Sequence, residues 1–211
     1  MQPRTRQTGF SLIELLTVLL ISGILFGIAV PAMGQFMDSN RMAAATNEFS
    51  TAIHLARSEA VKRRANVSMC ASSDWSVETP SCSATGEIRE GWIIFVDSTP
   101  PLAPNLNVPN AASVLYRHGP LQEGINLSLA TTTAAIGGSE FISFASTGFP
   151  FSVLAGNDGA FNFQFCDHRG DKDIGQGIAA GRWVQVTTTG RPQLHRNRAE
   201  VEHVNNPTGG C

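Results

Sequence analysis

Residues 9–33 read GFSLIELLTVLLISGILFGIAVPAM, and the rest of the chain is interpreted outward from this stretch. Over 12–33 only Glu14, Thr17 and Ser22 interrupt an apolar run. A helix needs about 20 such residues to cross a bilayer, so the run is long enough to span. Arg4 and Arg6 precede it and no acid precedes Glu14. The bias of basic residues toward the cytoplasmic side therefore puts Met1 in the cytoplasm and the chain after Met33 outside it. A lone carboxylate at the depth of Glu14 costs roughly 2.5–3.5 kcal/mol on insertion scales, so it calls for a partner charge. The competing reading is a cleaved secretory signal, with Val30, Pro31 and Ala32 as its cleavage site. Such signals usually have an apolar region of about 7–15 residues, shorter than this one, and rarely hold an acid.

Gly9 and Phe10, with Glu14 four residues on and an apolar run behind it, resemble the type III signal of type IV pilins and pseudopilins. The resemblance implies that a prepilin peptidase cuts between Gly9 and Phe10 and that the new Phe10 amine is methylated. It also implies that Glu14 pairs with the Phe10 amine of a neighbouring subunit, since a buried charge is tolerable when matched. Pro31 stands where this family has a proline, and there it kinks or loosens the helix.

The chain has 211 residues, 42% hydrophobic and 15% charged. Loss of 1–9 removes two arginines and no acid, which moves the formal charge from −2 to −4. That balance argues against a protein that coats nucleic acid. About 145 residues follow the helical part, enough for one domain with a real core. Four cysteines, Cys70, Cys82, Cys166 and Cys211, lie beyond a membrane signal, so disulfides in an oxidising periplasm are expected. Three connectivities are open. The preferred one joins Cys70 to Cys82, closing the polar loop 72–81, and Cys166 to Cys211, pinning the Asn-Pro-Gly tail. No Cys-x-x-Cys pair suggests zinc.

Between 34 and 64, Met42, Ala45, Phe49, Ile53, Ala56 and Ala60 recur at three- and four-residue steps, which marks one buried helix face. Arg41, Glu48, Arg57, Glu59 and Lys62 fall mostly elsewhere. Short β-rich runs follow at 67–71, 91–96, 114–117, 125–129, 141–145, 160–166 and 183–188, bounded by Gly, Pro, Asn or Asp. Phe161, Phe163 and Phe165 alternate with Asn162 and Gln164, the pattern of a half-buried strand. Residues 98–110 read as a loop. The expected class is α+β: a long N-terminal transmembrane and amphipathic helix packed on an antiparallel β-sheet domain. The divisions are 1–9 as leader, 10–33 as the span, 34–65 as the helix continued outside the membrane, and 66–211 as the β-rich domain.

Four internal segments sharpen the resemblance. They are 55–63 (LARSEAVKR), 91–97 (GWIIFVD), 142–144 with Gly148, and 165–170 (FCDHRG) followed by 184–191 (VQVTTTGR). Together they are similar to the GspH/FimT, or FimU-like, branch of minor pilins and pseudopilins. That branch implies a pilin-like fold and a non-catalytic structural and assembly subunit of a type IV pilus or a type II secretion pseudopilus. It implies an inner-membrane protein with a periplasmic domain that then enters the pilus or pseudopilus. Its implied partners are other major and minor pilins or pseudopilins, the prepilin peptidase, the inner-membrane assembly platform and membrane lipid. Gly23, Gly27 and Ala29 permit close helix approach in lipid. The alternative implied by some members is a DNA-binding minor pilin for uptake in natural transformation. The motif there is Gly-Arg-x-Arg. Here Gly190 and Arg191 match, Gln193 replaces the second arginine, and Arg196 and Arg198 are the nearby substitutes. Arginine suits phosphate because its planar fork gives two hydrogen bonds. The plainer reading is a solvated strand and tail partly neutralised by Glu200 and Glu202.

No Gly-x-Ser-x-Gly, His-Glu-x-x-His or phosphate loop occurs, so no enzyme and no cofactor are expected. His54, His118, His168, His195 and His203 lack metal-ligand spacing, and His54 reads as a packing residue in the helix. Asp167, Asp171 and Asp173 around Gly170 do not fit a calcium loop and read as a solvated acidic turn.

Overall fold

The structure, a computed structural model, describes residues 10–83, 86–97, 108–129, 141–150, 161–202 and 206–211. The leader with Gly9, the Pro31 side chain, most of the loop at 98–110 and His203 lie outside the described residues. Helix α1 spans Leu12–Arg63 and is followed by β1 (Asn66–Ala71), β2 (Trp92–Asp97), β3 (Val114–His118) and β4 (Asn126–Leu129). Then come β5 (Phe141–Phe144), β6 (Phe161–Cys166), β7 (Ile178–Val186), β8 (Pro192–Asn197) and the short α2 (Arg198–Val201). Two compact units divide the chain, Met1–Asn40 and Arg41–Cys211.

In the second unit, the stripe Met42, Ala45, Phe49, Ile53, Ala56 and Ala60 is fully buried, as its spacing requires. Ala52 and Thr46 widen it, and the Thr46 hydroxyl is satisfied by donating to the Met42 carbonyl at 2.9 Å. His54 is exposed, contrary to the packing role read from sequence; it lies one residue off the stripe and faces outward.

The strands form not one sheet but two, each antiparallel and four-stranded. Their orders are β3-β2-β1-β5 and β4-β6-β7-β8. Alternation sorts their side chains. Val67, Met69, Ala71, Trp92, Ile94, Ile142 and Phe144 of the first sheet share a core with the α1 stripe. Phe161, Phe163, Phe165, Val184 and Val186 of the second enter the same core. Cys70, Ile93, Phe95 and Phe141 point to the opposite face of the first sheet and form a separate cluster. Phe49 joins the three layers. Its ring meets Trp92 at 5.9 Å, Phe163 at 4.7 Å and Phe165 at 5.4 Å, each in an edge-on arrangement, the geometry that ring quadrupoles favour.

One reading of the C-terminal region changes and another holds. The strand expected at 183–188 runs Ile178–Val186 and stops where Thr187 donates to the Arg191 carbonyl at 3.0 Å. Residues 192–197 are the edge strand β8, as the plainer reading of a solvated strand has it, because Trp183, Val184 and Gln185 pair with His195, Leu194 and Gln193. Between the pairs Ile178–Asn197 and Trp183–His195 the register shifts, and β7 carries a bulge. The buried Arg182 fills it: its Nη1 donates to the carbonyls of Ala179, Ala180 and Gly181.

Candidate functional site

In the unit Met1–Asn40 the helix is apolar around its whole circumference. An 18-residue window reaches a mean hydropathy of 2.5 with none of it buried. Leu12, Ile13, Leu15, Leu16, Val18 and Leu19 are all more than half exposed. An all-round apolar helix is made for lipid or for other helices. α1 starts as Glu14 and Leu15 donate their amides to the Ser11 carbonyl at 3.0 and 3.2 Å. Phe10 stands just ahead of it, 88% exposed. Glu14 therefore lies in the first turn, where the helix dipole favours a negative charge. Its carboxylate has no partner among the described residues. The Thr17 hydroxyl, by contrast, is satisfied internally, donating to the Glu14 carbonyl at 2.9 Å. Gly23 and Gly27, one turn apart, would each place a Cβ with nothing within 4 Å outside the helix's own backbone, so this face is open.

The cysteines are bonded as Cys70–Cys82 and Cys166–Cys211. The first closes a loop organised by Asp74, a role the sequence reading missed. Asp74 accepts from the Ser72 hydroxyl at 2.8 Å and from the Ser81 amide and hydroxyl, both at 2.9 Å. Partial burial works to raise its carboxyl, but these donors outweigh it and hold the group below the usual aspartate range. Arg117 of β3 fastens the loop tip through the Val77 and Glu78 carbonyls. The second bridge lays the tail over the polar face of β6. There the side-chain Oε1 of Gln164 accepts from the Asn206 side-chain amide at 3.0 Å and from the Thr208 hydroxyl at 3.1 Å.

The acidic turn is not simply solvated: its carboxylates are bonded locally, except that the buried Oδ1 of Asp171 has no hydrogen-bond partner among the described residues. Asp167 pairs with Arg169 at 2.5 Å, Asp173 accepts from the Gly175 amide at 2.7 Å, and Asp171 accepts from the Cys211 amide at 2.5 Å. No group of three metal-ligating side chains occurs among the described residues. The basic segment does not act as one unit either. Arg191 sits on the exposed β7–β8 turn, and Arg196 is exposed on β8. Arg198 opens α2 and bonds Glu202 at 2.8 Å, which raises its already high pKa. His195 stacks on Trp183 at 4.2 Å and pairs with Glu200 at 3.3 Å. Burial lowers the pKa of Arg182, and the charges of Arg196 and Arg169 add to the effect. A single arginine inside the otherwise uncharged run 178–186 was the only sequence signal for this bulge.

The family model described as Type II transport protein GspH matches residues 45–190, well over half of the chain. The chain belongs to the GspH family. A second model, the prokaryotic N-terminal methylation motif, matches residues 4–30, which include Gly9, Phe10 and Glu14. The GspH match ends at Gly190, so Arg191, β8 with Arg196, and Arg198 lie beyond it. No curated protein matches the sequence. Among solved structures, the type IV minor pilin FimU of Pseudomonas aeruginosa strain PAO1 is similar in its P21 crystal form. Identity is 20%, the TM-score is 0.51, and 76% of this chain and 92% of that chain are covered. The P65 form of FimU gives 21% identity and a TM-score of 0.47, covering 72% and 91%. At such identities the likeness is one of fold. With the GspH family match, the methylation motif and a pilin-like fold, the chain is a pilin-class structural subunit, a minor pilin or pseudopilin. Neither the geometry of Arg191, Arg196 and Arg198 nor the comparisons support DNA contact.

Proposed function

We propose that this GspH-family chain is cut between Gly9 and Phe10 by a prepilin peptidase, methylated on the Phe10 amine, and drawn from the inner membrane into a type IV pilus or type II secretion pseudopilus. The observation that carries this reading is the unpaired Glu14, four residues after an exposed Phe10, on a helix whose apolar surface is bare all round. In lipid the Phe10 ammonium of a neighbouring subunit is the natural counter-ion, because an unmatched charge there is costly and a matched pair is not. The domain 66–211 stands on the periplasmic side, the span 10–33 in the inner membrane, and Pro31 loosens the helix for packing. Helix packing through Gly23 and Gly27, surrounding lipid and the inner-membrane assembly platform complete the set of partners. Mass spectrometry of the processed protein tests the first step. N-methylated Phe10 at the amino terminus is the expected result. A first residue near Met33 would replace this reading with a secretory one.

A further inference from the structure

Where the C-terminal tail lies on β6, a small polar cluster is closed off from solvent. Gln164 is fully buried and Asn206 is 3% exposed. Burying a primary amide is costly unless its groups are paired, and here the pairing fixes a single orientation. The Oε1 of Gln164 accepts from the Asn206 side-chain amide at 3.0 Å and from the Thr208 hydroxyl at 3.1 Å. Its Nε2 donates to Cys211 Sγ at 3.3 Å. The Thr208 hydroxyl has only one proton, and Asn206 Oδ1 is its nearer acceptor at 2.6 Å. With the proton on that side, a lone pair of the hydroxyl oxygen faces the Gln164 side-chain carbonyl.

One oxygen beside this cluster is left over. Asp171 uses Oδ2 on the Cys211 amide at 2.5 Å, while its buried Oδ1 has no hydrogen-bond partner among the described residues. Gly181 marks where that oxygen lies. A Cβ at Gly181 would fall 2.6 Å from Asp171 Oδ1, 2.6 Å from Cys211 Sγ and 3.2 Å from Gln164 Nε2. The carboxylate oxygen and the amide nitrogen therefore border one small space that a larger residue would fill. A buried acceptor without a donor costs stability, so its place beside a buried amide calls for a chemical reason.

We propose that Thr208 and Gln164 join in an intramolecular ester, a covalent cross-link between the tail and β6. Thr208 Oγ1 bonds to Gln164 Cδ, and the Cδ–Nε2 bond breaks. The hydroxyl proton ends on the departing nitrogen, which leaves as ammonia. The step consumes no oxidant and no second reactant. Asn206 donates to the carbonyl oxygen on which charge develops, as an oxyanion donor does. Asp171 carries the proton to the nitrogen, acting first as base and then as acid. The Cys166–Cys211 bridge holds hydroxyl and carbonyl together, and such positioning lets a weak nucleophile reach an amide. Cys211→Ser, which frees the tail, therefore leaves the two side chains unjoined. Burial keeps out the water that would hydrolyse the product. Once formed, the ester keeps the tail on β6 even after the bridge is reduced.

The test is mass spectrometry of the full chain, purified in detergent, then reduced and digested. A branched peptide joining the segments around Gln164 and Thr208, lighter than their sum by one water and one ammonia less the water of the two separate termini's hydrolysis, is not needed to read the result: the expected mark is the two segments linked with the loss of one ammonia. The result is read within the digest, so it does not depend on how Phe10 is processed. Thr208→Ser keeps a hydroxyl and should still cross-link. Thr208→Val should not, and Asp171→Asn should lower the cross-linked fraction about tenfold or more. Mapping the Cys166–Cys211 bridge in each variant before reduction shows that the tail is in place. Two separate wild-type segments of unchanged mass overturn the proposal, and so does Gln164 found hydrolysed to glutamate. Loss of ammonia that persists in Thr208→Val overturns it as well. Asp171→Asn cross-linked like wild type overturns the role given to Asp171.

Discussion

Glu14 and Asp74 are both carboxylates, and their surroundings give them opposite roles. Glu14 has no partner within its own chain among the described residues, which fits the assembly role proposed for it. Replacing it with alanine removes a buried anion, and membrane insertion is expected to be at least as efficient as in wild type. Crosslinking to neighbouring pilin-class subunits should fall by an order of magnitude or more. Undiminished crosslinking in Glu14→Ala would assign assembly to some other contact. Asp74, by contrast, is held by three donors and its pKa is lowered. A carboxyl with a depressed pKa stabilises the fold fully above its ordinary value of 3.8 and loses that contribution as the pH falls through the lowered value. Asp74→Asn should therefore cost about 1–2 kcal/mol at pH 7. The gap to wild type should narrow as the pH falls below 3.8 and through the lowered value, where the wild-type carboxyl is itself protonated. Thermal melts of both proteins at pH 7 and in an acid series below 3.8 check the size and the sign.

Among the elements, α1 and the two bridged segments make the sharpest expectations. The left-handed Arg64 strains the cap that ends α1, since a Cβ is disfavoured at φ 54°. Arg64→Gly should stabilise the protein by about 1 kcal/mol, seen as a raised Tm. The bridges close segments of very different length, with sequence separations of 12 and 45. On the chain-entropy model they stabilise by about 3 and about 4 kcal/mol. Cys211→Ser should also release the tail from Gln164, so amide exchange at 206–211 should speed up in that variant while β1 and β2 stay protected. Equal loss of protection everywhere would mean that the tail holds the whole domain together and not only its own sheet.

For the molecule as a whole, one ring carries much of the structure. Phe49 is fully buried and is the contact of α1 with both sheets at once. Phe49→Ala should cost about 3–5 kcal/mol, because it removes apolar contact and leaves a cavity where three layers meet. The variant should lose both sheets in one transition. Two separate transitions would show that the sheets fold independently of the helix.

The helix, the membrane run and the core stripe were legible in the residues because they depend on local period and composition. Met42 through Ala60 sit at helical steps, and 12–33 is apolar at every turn, whatever surrounds them. The two cysteine bridges lay within reach of spacing arguments for the same reason: one closes a short polar loop, the other ties down a glycine-rich end. Gly9, Phe10 and Glu14 were legible as a motif, although their chemistry needs a second subunit. What only the tertiary structure decided is where strands find their partners. Nothing local says that β1, β2, β3 and β5 form one sheet and β4, β6, β7 and β8 another, since strand pairing joins residues far apart in the chain. The bounds of β8 were not legible because Pro192, Gln193, His195 and Arg196 have weak strand preference, and β7 supplies the ladder that fixes them. The buried Arg182 followed from the bulge, whose carbonyls turn inward only when β7 pairs out of register. His54 was misread because the step that separates a buried face from an open one is a single residue, and only the packing of the sheets determines on which side of that boundary it falls.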